Sequence, residues 1–201
     1  MKVLGITGGV GAGKSAVLGY LAKKYQARII QADQVAHFLM EPGQICYYGV
    51  VEAFGSGILS GDQRISRSKL GELVFQDTGK LQKLNRLIHP AVKAYIVSEI
   101  ETEKETGKVP FVALEAALLL EDHYQLICDE IWYVSVPADI RLKRLVDTRG
   151  YTEEKARKIM KNQLSEEVFR EQCQFVVDNS SDFIENTYEQ IDRGLVEHEF
   201  L

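Results

Sequence analysis

The stretch GGVGAGKS at residues 8–15 directly follows the apolar run VLGIT, and no other feature restricts the fold of this chain so strongly. It satisfies G-x-x-x-x-G-K-[ST] with Gly8, Gly13, Lys14 and Ser15. Glycines admit positive φ and let consecutive backbone N–H groups turn inward, toward a phosphate. KVLGIT before it reads as a buried strand, and KSAVLGYLAKKY after it as a helix with Val17, Leu18 and Leu21 on its apolar face. That strand–turn–helix setting separates a phosphate loop from a chance match. The helix contributes its positive amino-terminal end. Lys14 places a point charge on the β- and γ-phosphates, and Ser15 offers an oxygen to Mg²⁺. What gains or loses the phosphate is left open by the loop, because many functions begin this way.

The rest of the chain alternates. ARIIQAD reads as a second strand ending at Asp33, followed by the helix VAHFLME, which EPG stops. VPFVALEA, EIWYVSV and QFVVDNS read as three further strands. PADIRLKRLVDT, TEEKARKIMKNQL and DFIENTYEQIDRGLVEHEFL read as helices between and after them. Such alternation predicts an α/β fold with a parallel sheet and right-handed crossovers. Residues 44–106 are helical in periodicity throughout, with Pro90 expected to end one helix and enter the next. They read as a helical insertion over the carboxyl edge of the sheet, where ligands bind in such folds. There is no internal repeat and no low-complexity segment.

Bulk properties narrow the function classes. Of 201 residues, 45% are hydrophobic and 26% charged, enough for one sizeable core. No stretch reaches the roughly 18–20 apolar residues of a membrane span, and the start lacks the order of a signal peptide. The expectation is a soluble cytoplasmic protein without a membrane partner. The three cysteines (Cys46, Cys128, Cys173) fit neither a disulfide framework nor a CxxC metal site and read as small buried hydrophobes. The net charge is −5, yet residues 141–161 carry eight basic side chains against three acidic ones. A local basic segment on an acidic chain suits a compact anionic ligand better than nucleic acid.

Several side chains can carry chemistry at this loop. Asp33, at the end of the second strand, can take a proton from an attacking hydroxyl or hold Mg²⁺ through water; it can equally cap the following helix. Glu115, after VPFVAL, resembles a metal-organising strand-end acid or, again, a cap; Glu121 is a weaker candidate of the same kind. Arg141 and Arg144 share a helix face, with Arg149 further along, and arginines there can neutralise charge on a transferring phosphoryl group or simply face solvent. A lone histidine such as His89 is more often structural, and His37, His123 and His198 show no zinc spacing.

Assembled, these stretches resemble the dephospho-CoA kinase family from residue 1 to about 195. The markers are GITGGVGAGKS, QADQVAH, EPG, ISRSKLGELVF, LNRLIHPAV, EAALLLE, VPADIRLKRL and VVDNS. The resemblance implies a P-loop NTPase-type core of residues 1–43 and 107–201, a CoA-side helical domain at 44–106 and a lid at 141–164. It implies transfer of the γ-phosphate of ATP, with Mg²⁺, to the ribose 3′-hydroxyl of dephospho-CoA. Nucleotide binding then falls to Gly11, Ala12, Gly13, Lys14, Ser15 and Ala16, with Asn179 near the adenine and Ser15 on the metal. Lys14, Asp33 and Arg144 carry catalysis, Asp33 as base and Arg144 on the phosphates. Asp33, Arg67, His89 and Glu115 fall on the acceptor side. Ala16, Ala117 and the pair Thr148-Arg149 depart from the family pattern. A kinase for a nucleoside monophosphate would share the loop, lid and carboxylate, but LNRLIHPAV favours dephospho-CoA. A GTP switch would need N-K-x-D, which is absent. A non-catalytic nucleotide-binding module has no need for Lys14, Ser15 and Asp33 together.

Overall fold

The structure, a computed structural model, describes all of residues 1–201. Its contacts divide the chain into two compact units, residues 1–30 with 103–201, and residues 31–102.

The first unit is built on a five-stranded sheet of order β2-β3-β1-β4-β5. The strands are β1 (Lys2–Thr7), β2 (Arg28–Gln31), β3 (Phe111–Glu115), β4 (Glu130–Ser135) and β5 (Phe175–Asp178). β1 is central and pairs in parallel on both sides, Lys2 with Phe111 and Leu4 with Glu130. Parallel strands need covered faces and therefore run apolar along their length. Leu4, Ile6, Phe111, Ala113, Trp132, Val134 and Val177 accordingly form one core with Val17 and Leu21 of helix α1 (Lys14–Tyr25). Ile191 and Leu195, on the last helix, α9 (Ile184–Glu197), complete it.

Two features hold α1, and with it the loop before it, against α9. The rings of Tyr20 and Tyr188 stack with centroids 3.8 Å apart. Tyr20, Lys24 and Tyr25 all donate to the Asp192 carboxylate, at 2.8, 2.6 and 2.5 Å.

The second unit is helical: α2 (Ala32–Leu39), α3 (Tyr47–Phe54), α4 (Arg67–Phe75) and most of α5 (Thr78–Thr106). A short antiparallel bridge, Leu59 to Ile65, closes the turn before α4. Ser66 caps α4 by accepting from the Lys69 amide.

Three sequence expectations need correction here. Pro90 does not separate two helices, because α5 runs through it. Proline removes one helical hydrogen bond, but Leu84, Ile88, Val92, Ile96 and Ile100 form a buried stripe at four-residue spacing on both sides of it. Burial of that stripe outweighs the lost bond. The second strand ends at Gln31, so Asp33 stands in the first turn of α2 and the residue at the cap position is Gln31. A helix was also overlooked between the lid segment and β5. The remaining helices are α6 (Ala138–Arg149), α7 (Glu153–Lys161) and α8 (Glu166–Gln172), the last begun by a Ser165 hydroxyl that accepts from the Val168 amide. All three cysteines are free thiols; burial pushes Cys128 and Cys173 up to about 12.

The core assignment has a direct measure. Leu195 is fully buried, and Leu195→Ala is expected to cost about 2–5 kcal/mol. Urea unfolding followed by the fluorescence of Trp132, the single tryptophan, reads this. A loss below about 1 kcal/mol would show that α9 is not integral to the core.

Candidate active site

The loop between β1 and α1 is shaped by what crowds it. Gly13 has φ +86° at the cap of α1, and no side chain caps the helix; Ala16 N–H folds back to Gly13 O at 3.0 Å, while the Lys14 and Ser15 amides before it receive no side-chain cap. A Cβ at residue 13 would also collide with Nδ2 of Asn179. That asparagine follows β5 and is buried. Its Nδ2 donates to Ala12 O at 2.8 Å, its Oδ1 accepts from the Thr187 hydroxyl at 2.9 Å, and its amide donates to Ser135 O at 2.9 Å. Arg144, on α6, donates from Nη2 to Asn179 O at 3.0 Å. One buried residue, through its side chain and its backbone, thus joins the loop to β4, α6 and α9.

Lys14 is drawn inward. Its Nζ donates to Gly8 O at 2.8 Å and lies 3.6 Å from Oε1 of Glu115. Because Ile6 pairs with Glu115 in the β1–β3 register, the carboxylate falls at the foot of the loop. Burial lowers the Lys14 pKa below the ordinary lysine value. Glu115 opposes that shift, and Arg149 and Arg141 add to it. The field at Lys14 therefore includes two further cations, Arg149 and Arg141, beside the Glu115 carboxylate, and burial is what lowers the lysine pKa overall; a cluster of three cations suits a multiply charged anion. Ser15 and Ala16 are exposed at the start of α1. Arg149 is exposed as the last residue of α6, so Arg141, Arg144 and Arg149 all lie on one helix.

The remaining predicted residues belong to the second unit. Asp33 is exposed in the first turn of α2, and Arg67 is exposed as the first residue of α4. Both act on His37, half-buried one turn after Asp33. Burial lowers the His37 pKa, Arg67 lowers it further, and Asp33 and Glu41 oppose the shift. Sequence reasoning had dismissed His37 as a zinc ligand and given it no other role; its i, i+4 spacing from Asp33 was the available signal. His89 is half-buried on α5, immediately before Pro90. So the structure brings together Lys14, Glu115, Arg144 and Asn179 in the first unit, and Asp33, His37 and Arg67 in the second.

Thr187 and Gln163 were missed. Thr187, fully buried, looked like an ordinary polar position of an acidic helix. Gln163 was read as part of the helix TEEKARKIMKNQL in the lid segment; α7 ends at Lys161, so Gln163 lies just past it, and nothing local distinguishes it. Because Asn179 serves Ala12 and Thr187 at once, Asn179→Ala is expected to lower stability by about 1–3 kcal/mol through the two partners it strands. The exposed Asn162→Ala should stay within about 0.5 kcal/mol of the parent protein. Equal urea midpoints for the two variants would refute the buttress.

Comparison with known proteins gives the family and the fold. The sequence model of the dephospho-CoA kinase family matches residues 2–185. A dephospho-CoA kinase of Oceanobacillus iheyensis is 36% identical, covering 96% of both chains. One of Corynebacterium diphtheriae is 37% identical over 90% of this chain and 89% of its own. A crystal structure of a Thermus thermophilus protein superposes with a TM-score of 0.81 at 26% identity, covering 98% of this chain and 97% of that one. The parallel sheet flanked by helices is a P-loop kinase fold, and the chain belongs to the dephospho-CoA kinase family.

Proposed function

We propose that the site transfers the γ-phosphate of ATP to the ribose 3′-hydroxyl of dephospho-CoA, giving coenzyme A and ADP. The observation that carries the reading is the glycine loop with helix amides that no side chain caps, overlooked by Lys14 and by arginines of α6.

The loop amides of Gly11, Gly13 and Lys14, with the amino-terminal end of α1, hold the triphosphate. Lys14 balances charge on its outer phosphates, and Arg144, fixed against Asn179 O, stabilises the negative charge that spreads over the phosphoryl group in the transition state. In the second unit, Asp33 accepts the proton of the 3′-hydroxyl as its oxygen bonds to phosphorus and ADP departs. Arg67, His89 and Glu115 orient the acceptor. Segment 44–106 serves as the acceptor domain. Segment 141–164 closes as a lid and excludes water, which would otherwise take the phosphoryl group.

The donor set suits Mg²⁺. No group of three or more His, Cys, Asp or Glu side chains could hold a metal alone, and Mg²⁺ in such sites relies on substrate phosphates with one or two protein oxygens. The Ser15 hydroxyl would supply one of those oxygens, with the Glu115 carboxylate helping to organise the ion. When bound, the ion neutralises charge on the β- and γ-phosphates. No helix is long and apolar enough to cross a membrane. We assign the reaction to the cytoplasm, where both substrates are dissolved.

Transfer from MgATP to dephospho-CoA, AMP, CMP and adenosine tests the substrate. Phosphorylation of dephospho-CoA alone is expected, with coenzyme A identified as product. Preference for a monophosphate would overturn the acceptor assignment. Asp33→Asn is expected to lower kcat by about 10²–10⁴-fold while MgATP still binds; near-normal turnover would remove Asp33 as the base.

A further inference from the structure

Both ends of the basic segment 141–164 are fastened to a single residue of the phosphate loop, Val10. At its start, Arg141 donates from Nε to Val10 O at 2.9 Å. Near its end, Gln163 accepts on Oε1 from the Val10 amide at 3.0 Å. The two side chains are themselves joined, Arg141 Nη2 donating to the same Gln163 Oε1 at 2.6 Å. The result is a closed ring of three hydrogen bonds in which neither polar group of the Val10 residue is left over. Gly9 makes room for it, since a Cβ at residue 9 would occupy the place of the Arg141 guanidinium. The ring is partly buried, so water competes poorly for these groups and an unmade bond costs more than at the surface.

This geometry has two consequences. Val10 N–H is spent inside the protein, and Ala12 N–H folds back to Gly9 O at 3.1 Å, so the loop's shape is set before any nucleotide arrives. In addition, the chain from residue 142 to residue 162 leaves the loop and returns to it, so both ends of that excursion meet at Val10. An amide side chain suits the junction because its oxygen accepts twice while carrying no charge beside the phosphates.

We propose that Gln163 is a positioning residue for ATP: by holding the Val10 amide and the Arg141 guanidinium together, it preorganises the phosphate loop and links it to the far end of the lid. The role rests on the reading of the loop as the ATP site. It does not depend on which acceptor is phosphorylated.

Gln163→Met keeps the shape of the side chain and removes the acceptor; Gln163→Glu keeps an oxygen that can accept both bonds. Two measurements on the full chain separate the outcomes. Amide hydrogen exchange at Val10, without nucleotide, reads the ring itself, with β1 and β4 amides as internal standards. Calorimetry with MgATP reads its consequence, and steady-state kinetics apportion it between the substrates. For Gln163→Met the expectation is loss of Val10 protection with the β1 and β4 amides unchanged, and a Kd for MgATP weakened about tenfold. The KM for dephospho-CoA should stay within about twofold, below the smallest cost of a stranded hydrogen-bonding group. Gln163→Glu should retain Val10 protection. Unchanged Val10 exchange and MgATP affinity in Gln163→Met would overturn the proposal, as would equal weakening toward both substrates. If the parent protein phosphorylates no dephospho-CoA, the acceptor reading fails, while the exchange and MgATP titrations still decide the role of Gln163.

Discussion

The nucleotide half of the molecule depends on how closely other elements approach one glycine-rich turn. Glycine at residue 13 admits the Asn179 amide, and glycine at residue 9 admits the Arg141 guanidinium. Each guest then satisfies a backbone group of the loop, Ala12 O in one case and Val10 O in the other. The small residues therefore act less as flexible links than as clearances. A loop held on both flanks loses little further freedom when an anion enters, and the entropy of ordering it has already been met by folding.

Charge is distributed by the same logic. The chain as a whole is acidic, so its general field does not recruit polyanions. Positive charge is concentrated on α6 and around Lys14, with Glu115 at hand to hold the lysine in place between the loop and β3. Such a pair is weak evidence for stability, since burying two charges costs about as much as their attraction returns. Its value is directional. Lys14 is held against Gly8 O and Glu115 instead of sampling solvent.

Much of this was legible in sequence. The five strands, the loop and the helical character of residues 44–106 follow from apolar runs and their periods, because burial of those runs is a local property of the pattern. Pro90 misled because proline speaks only for the backbone of one residue, whereas the stripe from Leu84 to Ile100 is a property of the whole helix. Asp33 was assigned to a strand end because β2 contributes only four residues and shares its last one with the cap of α2. Asn179 and the phosphate role of Arg144 came from the family resemblance of the stretches VVDNS and VPADIRLKRL. Gln163, Thr187 and His37 were given no role, since what distinguishes each is a partner far off in sequence or a field that no local pattern encodes.

The central place of β1 also bears on how the protein is made. Lys2 finds its partner in Phe111, and Leu4 finds its other neighbour in Glu130. At ribosomal speeds of about 5–20 residues per second, roughly 5–20 s pass between the synthesis of β1 and that of β3. During that interval an apolar strand has neither edge paired and can template pairing with other nascent chains. Contacts so distant in sequence also close slowly once available. The strand that later anchors the phosphate loop is thus the segment longest exposed during translation, which makes it the natural address for a holding chaperone and the first place where crowded synthesis would drive aggregation.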